Sequence, residues 1–324
     1  MSRLRALAPA KINLGLFVGP TRSDGRHELA SVMQPISLAD ELTLEPILGE
    51  AGRAARAPVA ARQEPSVDEV VCPGFPELAG ADNLAARALA AFRRETGWGQ
   101  GPLRLTIEKR VPVAAGMGGG SADAAAALRL AAHASGLGDR TLLHRIAAEL
   151  GADVPAQVWP GRWLALGAGE RLRPLPDPAE PFGVLVLPLA AALSTAAVYA
   201  QADRLGLARS AEQLAERGEQ LAAALQTGAQ LPDDELLCND LQRAAISLCP
   251  PIDDALEQAR AAGADLALLS GSGPTVLGLF GGADGPARAQ AAVERLSRRH
   301  PRAAAAVPVG SAFARVAAVR NNGF

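Results

Sequence analysis

Residues 112–128 read Pro-Val-Ala-Ala-Gly-Met-Gly-Gly-Gly-Ser-Ala-Asp-Ala-Ala-Ala-Ala-Leu, and no other run restricts the chain as much. Gly116, Gly118, Gly119 and Gly120 lead straight into Ser121 and an alanine-rich segment. Glycine tolerates positive φ and lets backbone come close to a ligand, while alanine has the highest helix propensity. Upstream, Leu103–Val111 alternates apolar and polar residues in the manner of a half-buried strand. A strand, a glycine loop and a helix start aim several backbone N–H groups and the positive end of a helix dipole at one anion. The pattern is that of a phosphate cradle, although a plain glycine turn would carry the same glycines. No Gly-Lys-Ser/Thr closes the loop, which excludes the P-loop. Gly116-Met-Gly118 opens a G-x-G-x-x-G whose sixth position is Ser121, so the dinucleotide fingerprint of NAD enzymes fails as well.

At 324 residues the chain has room for two modest domains or one large one. Hydrophobic residues make up 49% and aromatics only 3%, so the core must be built from Ala, Leu and Val. A net charge of −2, with Lys and Arg scattered, argues against a nucleic-acid surface. Cys72, Cys238 and Cys249 have no C-x-x-C spacing, which disfavours structural disulfides and zinc and fits a reducing cytoplasm. His27, His133, His144 and His300 lack H-x-x-x-H spacing, so a histidine-held metal is not expected. The apolar stretch within residues 1–10 is too short for a signal peptide. Residues 181–202 carry no charge, but Gly183, Pro188, Ser194 and Thr195 divide them into a buried strand (Val184–Leu187), a loop and a helix start rather than a membrane span.

Ala10–Leu16 and Glu41–Leu44 read as strands, with a turn at Ser23-Asp-Gly25. Gly49–Ser66 lacks periodicity and reads as a mobile surface loop. Helices are expected over Asp82–Phe92 (capped by Asp82 or Asn83), Thr141–Leu150 (ended by Gly151) and Ser210–Gln226 (with a Ser210/Gln213 capping box). Leu266–Leu269 and Val276–Phe280 read as strands around a tight glycine turn. Strands and helices mix without strict alternation, which points to an α+β chain.

Three motifs in order resemble those of the GHMP small-molecule kinases: Pro9-Ala-Lys-Ile-Asn-Leu14, the glycine run, and Leu269-Ser-Gly-Ser-Gly-Pro-Thr-Val276. Between them stand Arg22-Ser-Asp-Gly-Arg-His27, Gly151-Ala-Asp-Val-Pro155 and Asn239-Asp-Leu241, so the resemblance covers nearly the whole chain. It implies a two-domain architecture, with a ribosomal-protein-S5-like N-terminal domain (residues 1–165), a ferredoxin-like C-terminal domain (residues 166–324) and the active site in the cleft between them. ATP and Mg²⁺ are the implied cofactors. The implied acceptor is cytidine diphosphate methylerythritol, phosphorylated on its 2-hydroxyl; homoserine or a mevalonate-type alcohol is the alternative, and a non-catalytic nucleotide binder a further one. A monomer or homodimer without nucleic-acid or membrane partners is expected.

The resemblance also assigns residues. Lys11 and Asp153 fall on the catalytic pair, although alone each has a plain reading, a solvated strand lysine and a helix cap. Asp153 would accept the proton of the attacking hydroxyl, with Lys11 holding it as a carboxylate. Pro112, Ala114, Gly116, Met117, Gly118, Gly119, Gly120, Ser121 and Ala122, with Gly271, Ser272 and Gly273, would bind the nucleotide. Ser121 would reach Mg²⁺ and is also the natural helix N-cap, while Asp123 has a weaker claim, since the dipole favours an acid there in any case. Asn13, Arg26, His27, Thr195 and Tyr199 would bind the substrate. Many family members carry Asp-Gly-Tyr-His where this chain has Asp24-Gly-Arg-His27, so the expected stack on cytosine becomes an Arg26–base–Tyr199 sandwich.

Overall fold

The computed structural model describes residues 2–47, 68–226, 231 and 235–319. The loop expected over residues 49–66 lies outside them. In chain order the strands and helices are β1 (Leu4–Thr21), β2 (His27–Pro46), β3 (Glu69–Val71), α1 (Leu84–Thr96), β4 (Leu103–Glu108), α2 (Gly119–Ser135), α3 (Arg140–Leu150), α4 (Val154–Val158), β5 (Trp163–Gly167) and β6 (Arg171–Pro174). There follow β7 (Gly183–Leu187), α5 (Thr195–Arg204), α6 (Ala211–Leu225), α7 (Gln242–Leu248), α8 (Pro251–Ala261), β8 (Leu266–Leu269), β9 (Val276–Phe280), α9 (Gly285–Leu296), β10 (Ala304–Ala306) and β11 (Ala317–Ala318).

Two sheets result. The first runs β11-β1-β2-β4-β3, with β5 and β6 branching from the other half of β2. The second runs β10-β7-β9-β8. Counted within their own unit, those four strands stand in the order 4-1-3-2 and alternate with helices as β-α-β-β-α-β, which is the ferredoxin-like arrangement. Residue 165, the expected boundary, falls inside β5, and the first sheet continues to Pro174 before the second begins at Gly183.

Alternation sorts the apolar residues into layers. Val184 and Val186 of β7 face a cluster shared with Ile12, Phe17 and Val32 of the first sheet and Leu214 and Leu221 of α6. Leu185 and Leu187, one residue out of phase, join α5, α7, α8 and α9 on the outer face. A third cluster packs α1, α2 and α3 on the first sheet, where Ala122 and Ala124–Ala127 let α2 approach closely. The expected caps form: Asn83 accepts from the Ala85 N–H, and Ser210 and Gln213 make a reciprocal capping box.

Candidate active site

β1 supplies the first side chains. Ala10, Ile12 and Leu14 point into the core between the sheets, which turns Lys11 and Asn13 to the opposite face. Bulges between Pro9 and Lys11 and between Asn13 and Gly15 interrupt the register with β2 at these residues, and a bulge re-aims the side chains beside it. The Lys11 backbone N–H donates to the Met117 carbonyl at 2.9 Å, tying β1 to the glycine loop. Its ammonium donates to Asn13 Oδ1 at 2.9 Å and stands 3.5 Å from Asp153 Oδ2. Asn13 in turn donates to Ser31 Oγ at 2.6 Å, and Ser31 donates to the Gly15 carbonyl. Asp153 occupies the N-cap position of α4 but makes no capping bond with its side chain. Its carboxylate turns to Lys11 instead.

The glycine loop is shaped by Gly116 and Gly118, at φ 75° and 67°, with Ala114 also in the left-handed region at 53°. Gly118 is the N-cap of α2, so Ser121 is not the cap; it sits one turn inside, at the third helical position. A Cβ at Gly118 would lie 3.0 Å from Lys11 Cγ, so the Lys11 side chain lies directly against the loop. Pro112, Ala114, Met117, Gly119, Gly120 and Ser121 help line a cavity of about 550 Å³. Ala122 does not; its side chain is buried in the core beneath.

Lys109, at the end of β4, was not singled out from the sequence. Its buried ammonium bridges Asp40 Oδ2 at 2.5 Å and Asp123 Oδ2 at 2.8 Å. Asp40 also accepts the Arg110 and Val111 backbone N–H groups, which pins the loop's entry to β2. Burial pushes the Asp123 carboxyl up to about 7, and its Oδ1 has no hydrogen-bond partner among the described residues. Both Asp123 and Ser121 line the cavity. No cluster of three or more His, Cys, Asp or Glu that could hold a metal occurs among the described residues. The Ser121 hydroxyl and the Asp123 carboxylate are the side-chain oxygens of this cavity that could hold a cation.

The turn between β8 and β9 closes the site from the second sheet. Ser270 Oγ donates to the Gly116 carbonyl at 3.2 Å. Asn239 holds the turn from behind, donating to the Leu269 and Gly271 carbonyls at 2.9 and 2.7 Å. Ser272 Oγ and Thr195 Oγ1 lie 2.9 Å apart, joining the turn to the start of α5. Gly271 and Ser272 line a second cavity of about 330 Å³ with Lys11, Asn13, Asp153 and Tyr199. Gly273 packs against Gly116 rather than lining it.

A third cavity of about 590 Å³ is lined by Arg26, His27, Thr195, Tyr199 and Asp203. His27 Nε2 bonds Asp203 Oδ1 at 2.7 Å, a partner sequence reading missed, and its ring packs on Tyr199 with centroids 5.0 Å apart. Burial pushes the Tyr199 phenol up to about 12. Arg26 is exposed and held by Asp24 through its Nε and Nη2 at 3.1 and 2.8 Å. The guanidinium that the sequence places over the base is thus paired with Asp24 along its edge, in the lining of this cavity.

The three cavities are consecutive. The first shares Gly116 and Gly118 with the second, and the second shares Leu29, Ala168, Thr195 and Tyr199 with the third. An anion cradle, a lysine–carboxylate pair and a polar-aromatic chamber along one cleft between two such sheets describe a small-molecule kinase. Family models for the GHMP kinases N terminal domain and the GHMP kinases C terminal region match residues 83–161 and 210–302. The chain belongs to the GHMP kinase family. Within it, the chain is 40% identical over 93% of both chains to the 4-diphosphocytidyl-2-C-methyl-D-erythritol kinase of Anaeromyxobacter dehalogenans (strain 2CP-C). It is 41% identical to the enzyme of that name from Thermobifida fusca (strain YX), over 89% of this chain and 90% of the relative. A crystal structure of 4-(cytidine 5'-diphospho)-2C-methyl-D-erythritol kinase superposes with a TM-score of 0.72 at 34% identity, covering 94% of this chain and 99% of that one. A mevalonate kinase from L. major shares the fold, with a TM-score of 0.64 at 15% identity. Among the described residues no helix is long and apolar enough to cross a membrane.

Proposed function

We propose that this protein transfers the γ-phosphoryl group of ATP to the 2-hydroxyl of 4-diphosphocytidyl-2-C-methyl-D-erythritol. The observation that carries the reading is the position of Lys11 and Asp153, 3.5 Å apart in the cavity that joins the glycine cradle to the chamber of His27 and Tyr199. The cradle takes the phosphates on the backbone N–H groups that open α2, which lack intrahelical partners. The cytidine end enters the third cavity, against Tyr199 and within reach of His27 and Arg26. That leaves the methylerythritol hydroxyl beside Asp153.

Phosphoryl transfer depends on in-line positioning and charge neutralisation more than on covalent chemistry. Asp153 orients the hydroxyl and takes its proton late. Lys11 keeps that carboxylate in place and adds positive charge where the transferred group crosses. Mg²⁺ would be held by Ser121 and Asp123, and when bound it neutralises charge on the nucleotide phosphates. The three free cysteines fit a cytoplasmic location.

A coupled ADP-release assay over a panel of alcohols tests the reading. Turnover is expected with the cytidine diphosphate substrate and at background level with homoserine or mevalonate; comparable turnover of either simple alcohol would contradict it. The base chamber has its own expected result. Stacking on an aromatic ring is worth about 1–3 kcal/mol per base, so Tyr199→Ala should raise KM for the cytidine substrate by about 5- to 150-fold and leave KM for ATP unchanged. Arg26→Ala should raise the same KM by less, because its guanidinium is already committed to Asp24. A Tyr199→Ala protein of lowered thermal stability but unaltered KM would make the ring a packing residue only.

A further inference from the structure

Arg129 lies ten residues beyond the first residue of α2, away from the three cavities, yet it touches both elements that carry the catalytic pair. Its Nη1 donates to the Gln157 carbonyl at 2.6 Å and to the Val158 carbonyl at 3.3 Å, the last two residues of α4. Its Nη2 donates to the Leu7 carbonyl of β1 at 2.8 Å. Leu7 stands four residues before Lys11, and Gln157 four residues after Asp153. One planar guanidinium therefore bridges the strand of the lysine and the helix of the aspartate.

Its surroundings are unusual for a structural arginine. Its hydrogen-bond partners among the described residues are all carbonyl oxygens, with no carboxylate among them, and its Nε is shielded from solvent without a partner there. Burial pushes its pKa down to about 10, which leaves it charged at neutral pH. The cost of burying such a charge is offset here by the C-terminal carbonyls of α4, which have no intrahelical partners and carry the negative end of that helix's dipole.

α4 needs such a tie. At five residues it is far shorter than a helix that holds itself in water. Val154 and Val158 anchor it to the core, but apolar contacts do not set direction as hydrogen bonds do. A short helix moves as a unit, so a shift at Gln157 and Val158 is carried to Asp153 at its other end. We propose that Arg129 is a positioning residue for phosphoryl transfer: by clasping β1 and α4 together, its guanidinium sets the approach of Asp153 to Lys11. The inference rests on the catalytic role of that pair given above.

The test is a double-mutant cycle on kcat. Arg129→Met keeps the apolar bulk of the side chain and removes all its donors. A misplacement of about 1 Å can cost about 10²-fold in rate, so kcat is expected to fall by about 10- to 100-fold with ATP affinity by calorimetry within about twofold of the parent. Introduced into Asp153→Asn, the same change should lower the residual rate by less than about twofold, since residues acting as one unit are not additive. Arg129→Lys, whose single ammonium lacks the fork to span two elements, should give an intermediate kcat, and it carries the same cycle if Arg129→Met does not fold. An equal loss in both backgrounds, a loss of ATP affinity parallel to the loss of kcat, or full kcat in Arg129→Lys would overturn the clasp. A fully active Asp153→Asn would instead remove the pair itself, and the clasp with it.

Discussion

Asp153→Asn is expected to lower kcat by about 10²–10⁴-fold, the usual worth of a positioned proton acceptor, while ATP affinity stays within about twofold. The separation follows from the geometry. Asp153 lines the middle cavity and not the cradle cavity, so nucleotide binding has no direct use for it. Asparagine keeps the size of the side chain and Lys11 keeps its hydrogen bond to Asn13, so local packing should survive. What it loses is the capacity to take the hydroxyl proton. Lys11→Met should give a comparable fall in kcat together with disturbance of Asn13 and Ser31, since the ammonium donates to Asn13 and Asn13 to Ser31. KM for the cytidine substrate should rise in Lys11→Met and not in Asp153→Asn. Stopped-flow single turnovers separate the two effects; an Asp153→Asn enzyme with parental single-turnover rate would exclude the carboxylate from the chemistry.

Gly116→Ala is expected to be the most damaging single change in the cradle. At φ 75° an L side chain is strained, at roughly 1–3 kcal/mol. The added Cβ would also run into the Ser270 carbonyl oxygen and come within 3.1–3.2 Å of the Gly273 backbone. Those atoms belong to the β8–β9 turn, so the loop and the turn cannot both keep their positions. ATP affinity should fall by at least about tenfold, the factor that corresponds to about 1.4 kcal/mol, and kcat should fall with it. Gly101→Ala is the control: outside the cradle cavity, a Cβ there meets nothing within 4 Å and the backbone needs no positive φ, so affinity should be unchanged. Calorimetry on both variants checks the pair; equal affinities would mean that the contact between loop and turn has no bearing on nucleotide binding.

In the sequence these glycines look alike. Composition and spacing mark the run, but only the folded chain separates Gly116 and Gly118, which need positive φ, from Gly119 and Gly120, which begin the helix. The same limit applies to Ser121. It reads as a cap because serine favours caps, yet Gly118 takes that place, since the loop arrives in a left-handed turn that a serine resists. Lys11, Asn13, Asp153 and the third glycine motif each sit in a short local pattern of the family, and the fold brings them to one cavity. The partnership of Lys109 with Asp40 and Asp123 was not legible, because it joins positions 69 and 14 residues apart. His27 and Asp203 are separated by 176 residues. No local pattern signals such pairs; the one available hint was a lysine in an alternating strand immediately before the glycine loop. The fold was more legible than the site. The expected hairpin of β8 and β9 appears at its expected residues, because glycine and proline mark turns and alternating apolar residues mark faces.

If one cleft delivers a phosphoryl group to one hydroxyl, the product identifies that hydroxyl. The 2-hydroxyl of the proposed acceptor stands on a carbon that bears no hydrogen, which makes the product recognisable by proton-coupled phosphorus NMR. Incubated with ATP, Mg²⁺ and the cytidine diphosphate substrate, the protein should produce a monoester resonance without the splitting that adjacent C–H groups cause, while the two diphosphate resonances of the substrate persist. A monoester split into a doublet or triplet would place the phosphoryl group on a neighbouring hydroxyl. Loss of the diphosphate resonances, or their extension into a triphosphate, would mean that the cleft holds the substrate in another direction and that Asp153 does not face the methylerythritol end.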